Sequence, residues 1–124
     1  MSISAAVLRF LDECIDSVPQ LETLVLLRAE PGQWWSPAEI SSRLYSSDEG
    51  VRTALEGLTR HGLCARRESP LEFKFDVSPG LEPLVDEVIR TYQTQLIPVT
   101  RIIHLNAASG AREFARAFDL KKDK

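Results

Sequence analysis

Cysteine and histidine are scarce in this chain, with two of each in 124 residues. Cys14 and Cys64 have no CxxC spacing, and each stands beside apolar residues in a predicted helix or strand. They read as buried free thiols. His61 and His104 are far apart. Cys64 lies three residues beyond His61, but across a helix stop, and one thiol with one imidazole does not make a zinc site. There is no glycine-rich phosphate loop, nucleophile elbow or HExxH. Asp12 with Asp16 and Glu82 with Asp86 are i,i+4 acidic pairs that read as solvated helix faces. These absences argue against an enzyme and leave no catalytic residue, metal or cofactor to expect. No basic segment followed by an apolar run opens the chain, so no signal peptide is expected. No apolar run approaches the roughly 20 residues of a membrane span. The expected compartment is the reducing cytoplasm, with no membrane partner. Internal repeats and low-complexity stretches are absent as well.

What is present suits a single soluble domain with a real core: 44% hydrophobic and 27% charged residues. The net charge of -3 is unusual for a dedicated DNA binder, which gains much of its affinity by neutralising phosphates. The charge is unevenly spread. Residues 1–40 are net -4 and residues 76–97 net -3, whereas residues 41–75 are net +1 and residues 98–124 net +3.

Apolar residues Ile3, Val7, Phe10, Leu11, Cys14, Ile15 and Val18 recur at spacings of three and four, the stripe of a first helix. Ser17 caps a second helix with Pro19 in its first turn, and Leu21, Leu24, Val25 and Leu27 form its buried side. Pro31-Gly32 ends it. In Trp34-Trp35, extended backbone sends the two rings to opposite sides, one to the core and one to the surface or a partner. Ser36-Pro37-Ala38-Glu39 is a capping box with proline at the first helical position, and Ile40 and Leu44 are the buried pair of that short helix. Tyr45-Ser46-Ser47 makes a turn, and Ser46 with Glu49 fits a second capping box. Val51, Ala54, Leu55 and Leu58 line the next helix, which stops at Gly62 in a left-handed cap. The period then changes: Phe73, Phe75 and Val77 alternate with Glu72, Lys74 and Asp76, as in a half-buried strand. Ser69-Pro70 turns the chain before it. A long helix over about 80–97 carries Leu81, Leu84, Val85, Val88, Ile89, Tyr92 and Leu96, and Pro98 kinks or interrupts it. Beyond it, 98–124 forms a helical interaction tail with Ile102, Ile103, Leu105, Phe114, Phe118 and Leu120.

The order Ser36…Ile40…Leu44, Val51…Leu55…Leu58…Gly62-Leu63, Arg66-Arg67…Phe73…Phe75 resembles the winged helix-turn-helix of bacterial MarR- and ArsR-type transcription regulators. The resemblance spans about residues 20–80. It implies a mainly α fold with a small β-hairpin: one domain over 1–97, with the helix-turn-helix at about 37–62 and the wing at about 63–77, then the 98–124 extension. It also implies that the outer helices dimerise, and that the outward face of Ser47–Gly62 enters the major groove of double-stranded DNA.

That face is mixed in charge. Opposite the buried stripe stand Glu49, Thr53, Glu56 and Arg60, flanked by Arg52 and Gly57. Glutamate can accept from a cytosine amino group, but nearby phosphates repel it. Asp48 and Glu49 also suit the start of a helix, where the dipole favours them. The candidate DNA contacts are Arg43, Ser46, Ser47, Arg52, Thr53, Arg60, Arg66, Arg67 and Lys74. The pair Arg66-Arg67 stands out because a wing lies along the backbone or minor groove in the resembling families; the plainer reading is a charged strand edge that deters aggregation.

The apolar stripes at the two ends need cover. A homodimer packing Val7, Phe10, Leu11, Ile102, Ile103, Phe114 and Phe118 across its interface is the economical answer. The tail docking on its own domain, and the tail binding another protein, are the alternatives. The leading function is a homodimeric DNA-binding transcription regulator. The other is a winged-helix protein-interaction module that does not bind DNA and uses its acidic helices and the 98–124 tail.

Overall fold

A computed structural model of the chain describes residues 3–108. The order is α1 (Ala5–Cys14), α2 (Val18–Ala29), α3 (Pro37–Leu44), α4 (Asp48–Arg60), β1 (Cys64–Arg67), β2 (Glu72–Phe75), α5 (Glu82–Thr94) and a sixth helix, α6, over 96–108. No helix among the described residues is long and apolar enough to cross a membrane.

Serine starts four helices in succession. The hydroxyls of Ser4, Ser17, Ser36 and Ser47 accept the backbone N–H groups of Val7, Gln20, Glu39 and Gly50. Each satisfies one of the donors that a helix start leaves open, worth about 1 kcal/mol. At α3 the box is complete, because the Glu39 carboxylate accepts the Ser36 backbone N–H at 2.9 Å. The second box does not form: Ser47, not Ser46, caps α4, and the residue three on is Gly50, which has no side chain to return the bond. Ser46 is already committed to the end of α3, its N–H donating to the Ser41 carbonyl and its own carbonyl accepting from the Ser41 hydroxyl.

Two left-handed residues frame the helix-turn-helix. Gly62 has φ 73°, and the N–H groups of Gly62 and Leu63 close α4 onto the carbonyls of Thr59 and Leu58, the pattern of a Schellman cap. Tyr45 ends α3 with φ 54°, ψ 38°. A side chain bearing a Cβ occupies that region at a cost of about 1–2 kcal/mol.

The core is one cluster. α2 packs on α4, α3 on α4, and α1 on α5. Leu21, Leu24, Leu27, Ile40, Leu55, Leu58, Leu63 and Val85 are fully buried in it, each leucine contributing about 1.5–3 kcal/mol. Gln20 is buried among them. Its Oε1 accepts from the Asp16 N–H at 2.6 Å and its Nε2 donates to the Cys14 carbonyl at 3.0 Å. The side chain thereby closes the α1–α2 corner. Gly57 lies directly over it: a Cβ there would meet Gln20 Nε2 at 2.9 Å. Gly57 is therefore buried at a close approach of α4 to α2, not a flank of the outward face.

The hairpin is antiparallel, pairing Cys64 with Phe75, Ala65 with Lys74, Arg66 with Phe73 and Arg67 with Glu72. A third backbone segment joins it. Trp35 exchanges two 2.8 Å hydrogen bonds with Phe73, so the Trp34-Trp35 segment covers the free edge of β2. Trp35 is buried and Trp34 is half-buried.

Three expectations about the ends need correction. The long helix stops at Thr94, and the break falls at Gln95 (φ -134°, ψ 56°) rather than at Pro98. Proline has no N–H to return to the Thr94 carbonyl and its ring crowds that group, so the chain restarts a turn earlier and Pro98 sits inside the first turn of α6. The 97/98 boundary consequently falls within α6, whose Val99 and Ile103 are fully buried in the common core. Finally, Val7, Phe10, Leu11 and Ile103 are buried within the chain itself and cannot form a surface for a second copy, while Ile102 is half-buried. The two terminal stripes cover themselves because α1 and α6 join the same cluster. Phe114 and Phe118 lie outside the described residues.

An ion pair ties α2 to α5. Arg28 Nε donates to Asp86 Oδ1 at 2.7 Å and its NH2 group to Oδ2 at 3.2 Å, with Glu82 at 3.6 Å and the Phe75 ring centroid 5.4 Å from the guanidinium. The Arg28 hydrogen bonds hold the Asp86 carboxyl below its ordinary range. A depressed folded-state value contributes stability that is present above the unfolded pKa of about 3.9 and lost as pH falls through the folded value. With the Asp86 side chain 37% exposed, solvent screening leaves about 0.5–1 kcal/mol. Asp86→Asn is expected to lower the urea midpoint at pH 7, with the gap to the parent chain closing as titrations are carried into acid below the ordinary carboxylate range.

Candidate nucleic-acid interface

The wing and α4 enclose a cleft of about 330 Å³. From α4 come Arg52, Glu56, Thr59 and Arg60; from the wing comes Arg66, with Leu71 and Phe73 as an apolar floor. Three of the nine candidate DNA contacts thus converge on one groove, and strand alternation decides which. Arg66 pairs with Phe73 and shares its face, toward α4, whereas Arg67 shares the opposite face with Lys74. Arg66-Arg67, adjacent in sequence, therefore do not form one basic patch.

Arg67 and Lys74 meet at Trp34 instead. The Arg67 guanidinium lies 4.2 Å and the Lys74 ammonium 4.9 Å from the indole centroid, a cation–π arrangement on each. Arg67 Nε also donates to Glu72 at 2.9 Å. Arg66 contacts Glu68 at 2.6 Å and Arg60 contacts Asp16 at 3.5 Å. Among the described residues Arg52 makes no ion pair by contrast, and it is exposed. Arg43 does not line this cleft; its guanidinium lies 5.4 Å from the Trp35 centroid. Thr53 is exposed on α4; Ser47 is exposed with its hydroxyl spent on the cap, and Ser46 is half-buried. The exposed face of α4 also carries Asp48, Glu49 and Glu56.

Chemistry other than binding has little to stand on here. Burial raises both thiols, Cys64 beside the Thr59 hydroxyl at 3.2 Å and Cys14 beside Glu13 and Asp16, so neither is poised as a thiolate. Among the described residues no group of three or more His, Cys, Asp or Glu side chains could hold a metal ion.

Tyr45, which the sequence marks only as part of a turn, is 97% exposed at the junction of α3 and α4. Its signal in the sequence is a bulky aromatic at a helix end where glycine or asparagine is the usual occupant.

No protein-family model matches the chain, and no curated protein matches it. Two solved structures do. One is a MarR family protein from Bacillus stearothermophilus, 21% identical, covering 87% of this chain and 76% of that one with a TM-score of 0.49. The other is the adhesin competence repressor AdcR from Streptococcus pyogenes, 15% identical, covering 95% of this chain and 90% of that one with a TM-score of 0.51. The likeness to AdcR extends over nearly the whole of both chains and joins the helix-turn-helix, the Trp35-edged hairpin and the outer helices in one architecture: the chain has the MarR-type winged helix-turn-helix fold.

Proposed function

We propose that this protein binds double-stranded DNA as a homodimer and regulates transcription, with α4 in the major groove and the wing beside it. The observation that carries the reading is the convergence of Arg52, Arg60 and Arg66 on the α4–wing cleft, on a helix where Arg52, Thr53 and Glu56 are exposed. In a helix-turn-helix the second helix reads base edges while the first crosses the backbone. Phosphate contacts from the arginines would set the register, and Thr53, Arg52 and Glu56 are the side chains on α4 able to face bases. The self-association surface is Leu96, Ile97 and Leu105 on α6, which are 53%, 66% and 65% exposed, together with Leu8 on α1. A two-fold dimer would present two α4 helices to half-sites about 34 Å apart.

A second reading, a protein-binding module, is favoured by one specific observation. Arg60, Arg66 and Arg67 are each engaged by a carboxylate, and Asp48, Glu49 and Glu56 are exposed on α4. The two readings separate cleanly. Purified protein is mixed with sheared genomic DNA at moderate salt and the retained fragments are sequenced. Enrichment of fragments sharing an inverted repeat supports the regulator. Uniform recovery rejects it in favour of the protein module. Because Glu68 draws on Arg66, Glu68→Gln is expected to tighten duplex binding about two- to fivefold in fluorescence anisotropy, by removing a competitor for the guanidinium and a charge that repels phosphate. A weaker complex would show that Glu68 positions Arg66 rather than occupying it.

A further inference from the structure

Tyr45 is placed where nothing among the described residues rewards it. Its backbone lies in the left-handed region, which glycine and asparagine enter with little strain and bulky residues rarely do. Its ring is 97% exposed, so no packing offsets that conformation. A residue that loses on both counts in the free chain is accounted for by what it touches outside it.

Its position says what that is. Tyr45 ends the first helix of the helix-turn-helix, and Ser47, two residues on, caps the second. The first helix of such a pair crosses the sugar–phosphate backbone while the second enters the groove, so the end of α3 stands at the groove's lip. We propose that Tyr45 is a DNA-backbone contact, its phenol hydroxyl donating to a phosphate oxygen and its ring lying against the adjoining deoxyribose. The inference rests on the DNA-binding reading and adds to it a residue outside the α4–wing cleft.

The electrostatics explain why a phenol stands here rather than a cation. Asp48 and Glu49 are exposed in the first turn of α4, where they complement the helix dipole. A lysine or arginine beside them would pair with those carboxylates. A phenol is neutral, donates one hydrogen bond and does not enter that competition. Its ring also holds only two side-chain torsions, so little freedom is lost when it is fixed against DNA. The exposed arginine on the same helix end, Arg43, is drawn toward Trp35, which leaves Tyr45 as the foremost group at this corner.

The test uses the full chain with the most enriched duplex from the genomic capture and an unrelated duplex of equal length. Tyr45→Asn keeps a residue that tolerates the left-handed turn and removes the ring; Tyr45→Phe keeps the ring and removes the donor. Tyr45→Asn is expected to leave the melting temperature unchanged or raise it by up to about 5 °C, and to weaken both duplexes about three- to tenfold. The slope of affinity against salt should not change, because no charge is removed. Tyr45→Phe should lose part of that affinity. Binding by Tyr45→Asn within twofold of the parent chain overturns the proposal, as does a melting temperature lowered by several degrees alongside the loss. Parent-level affinity in Tyr45→Phe overturns the phosphate hydrogen bond. If the parent chain itself retains no duplex, the DNA reading fails and this inference with it, an outcome distinct from normal binding by the variants.

Discussion

Arg52→Ala combined with Arg66→Ala is expected to weaken duplex binding by about 100-fold at roughly 0.1 M salt, and to reduce the slope of log affinity against log salt by about two. Arg52 leaves α4 and Arg66 leaves the inner face of the wing, and the two line the same cleft. A strand of backbone passing between the major groove and the wing would be gripped from both sides. Each charge-assisted hydrogen bond to phosphate contributes about 1.5 kcal/mol or more, so two of them account for about two powers of ten. Both side chains are exposed, so their removal should move the melting temperature little. Arg67→Ala is the informative control. Arg67 is on the opposite face, held by Trp34 and Glu72, and should cost less than Arg66→Ala. Anisotropy titrations at three salt concentrations decide the matter. An unchanged salt slope in the double variant would show that the cleft does not hold phosphate.

Gln20→Leu is the second large effect, and it bears on stability. The substitution keeps the side chain's bulk but strips both polar ends from a residue that is 1% exposed. The Asp16 N–H and the Cys14 carbonyl, now served at 2.6 and 3.0 Å, would lose their partners at a corner where α4 presses down through Gly57. An unsatisfied buried group costs about 1–3 kcal/mol. The two partners are only partly buried, so the expected loss is about 1–2 kcal/mol, still a sizeable part of the 5–15 kcal/mol that holds a domain together. Urea unfolding followed by circular dichroism measures it. A loss under about 0.5 kcal/mol would mean that water serves those groups as well as the amide does. Because α2 positions α4, the same variant should lose DNA affinity in parallel with its stability at temperatures near its transition.

Much of this architecture was legible in the sequence, and for local reasons. Helix starts are set by a hydroxyl three residues before an open N–H, so Ser17 and Ser36 could be read directly. The buried stripe Val51, Ala54, Leu55, Leu58 follows from the helical period, and the stop at Gly62 from its freedom to take positive φ. The alternation of Phe73, Phe75 and Val77 marked the wing for the same kind of reason. The cap of α4 was misplaced by one residue because two serines compete for it, and the backbone of α3 takes the first.

Only the tertiary structure decided the rest. Whether an apolar stripe faces a second molecule or its own domain depends on what folds against it, which no periodicity records; α1 and α6 bury Val7, Phe10, Leu11 and Ile103 at home. The roles of Gln20 and Gly57 needed the approach of α2 and α4, residues far apart in the chain. Arg66 and Arg67 are adjacent in sequence, yet strand geometry sends neighbours to opposite faces, one into the cleft and one onto Trp34. Sequence determined, to within a residue or so, where α2, α3 and α4 begin and which side of each is apolar, because those depend on contacts within a few residues. The fold decided which charges meet, because that depends on the through-space arrangement of helix, strand and edge.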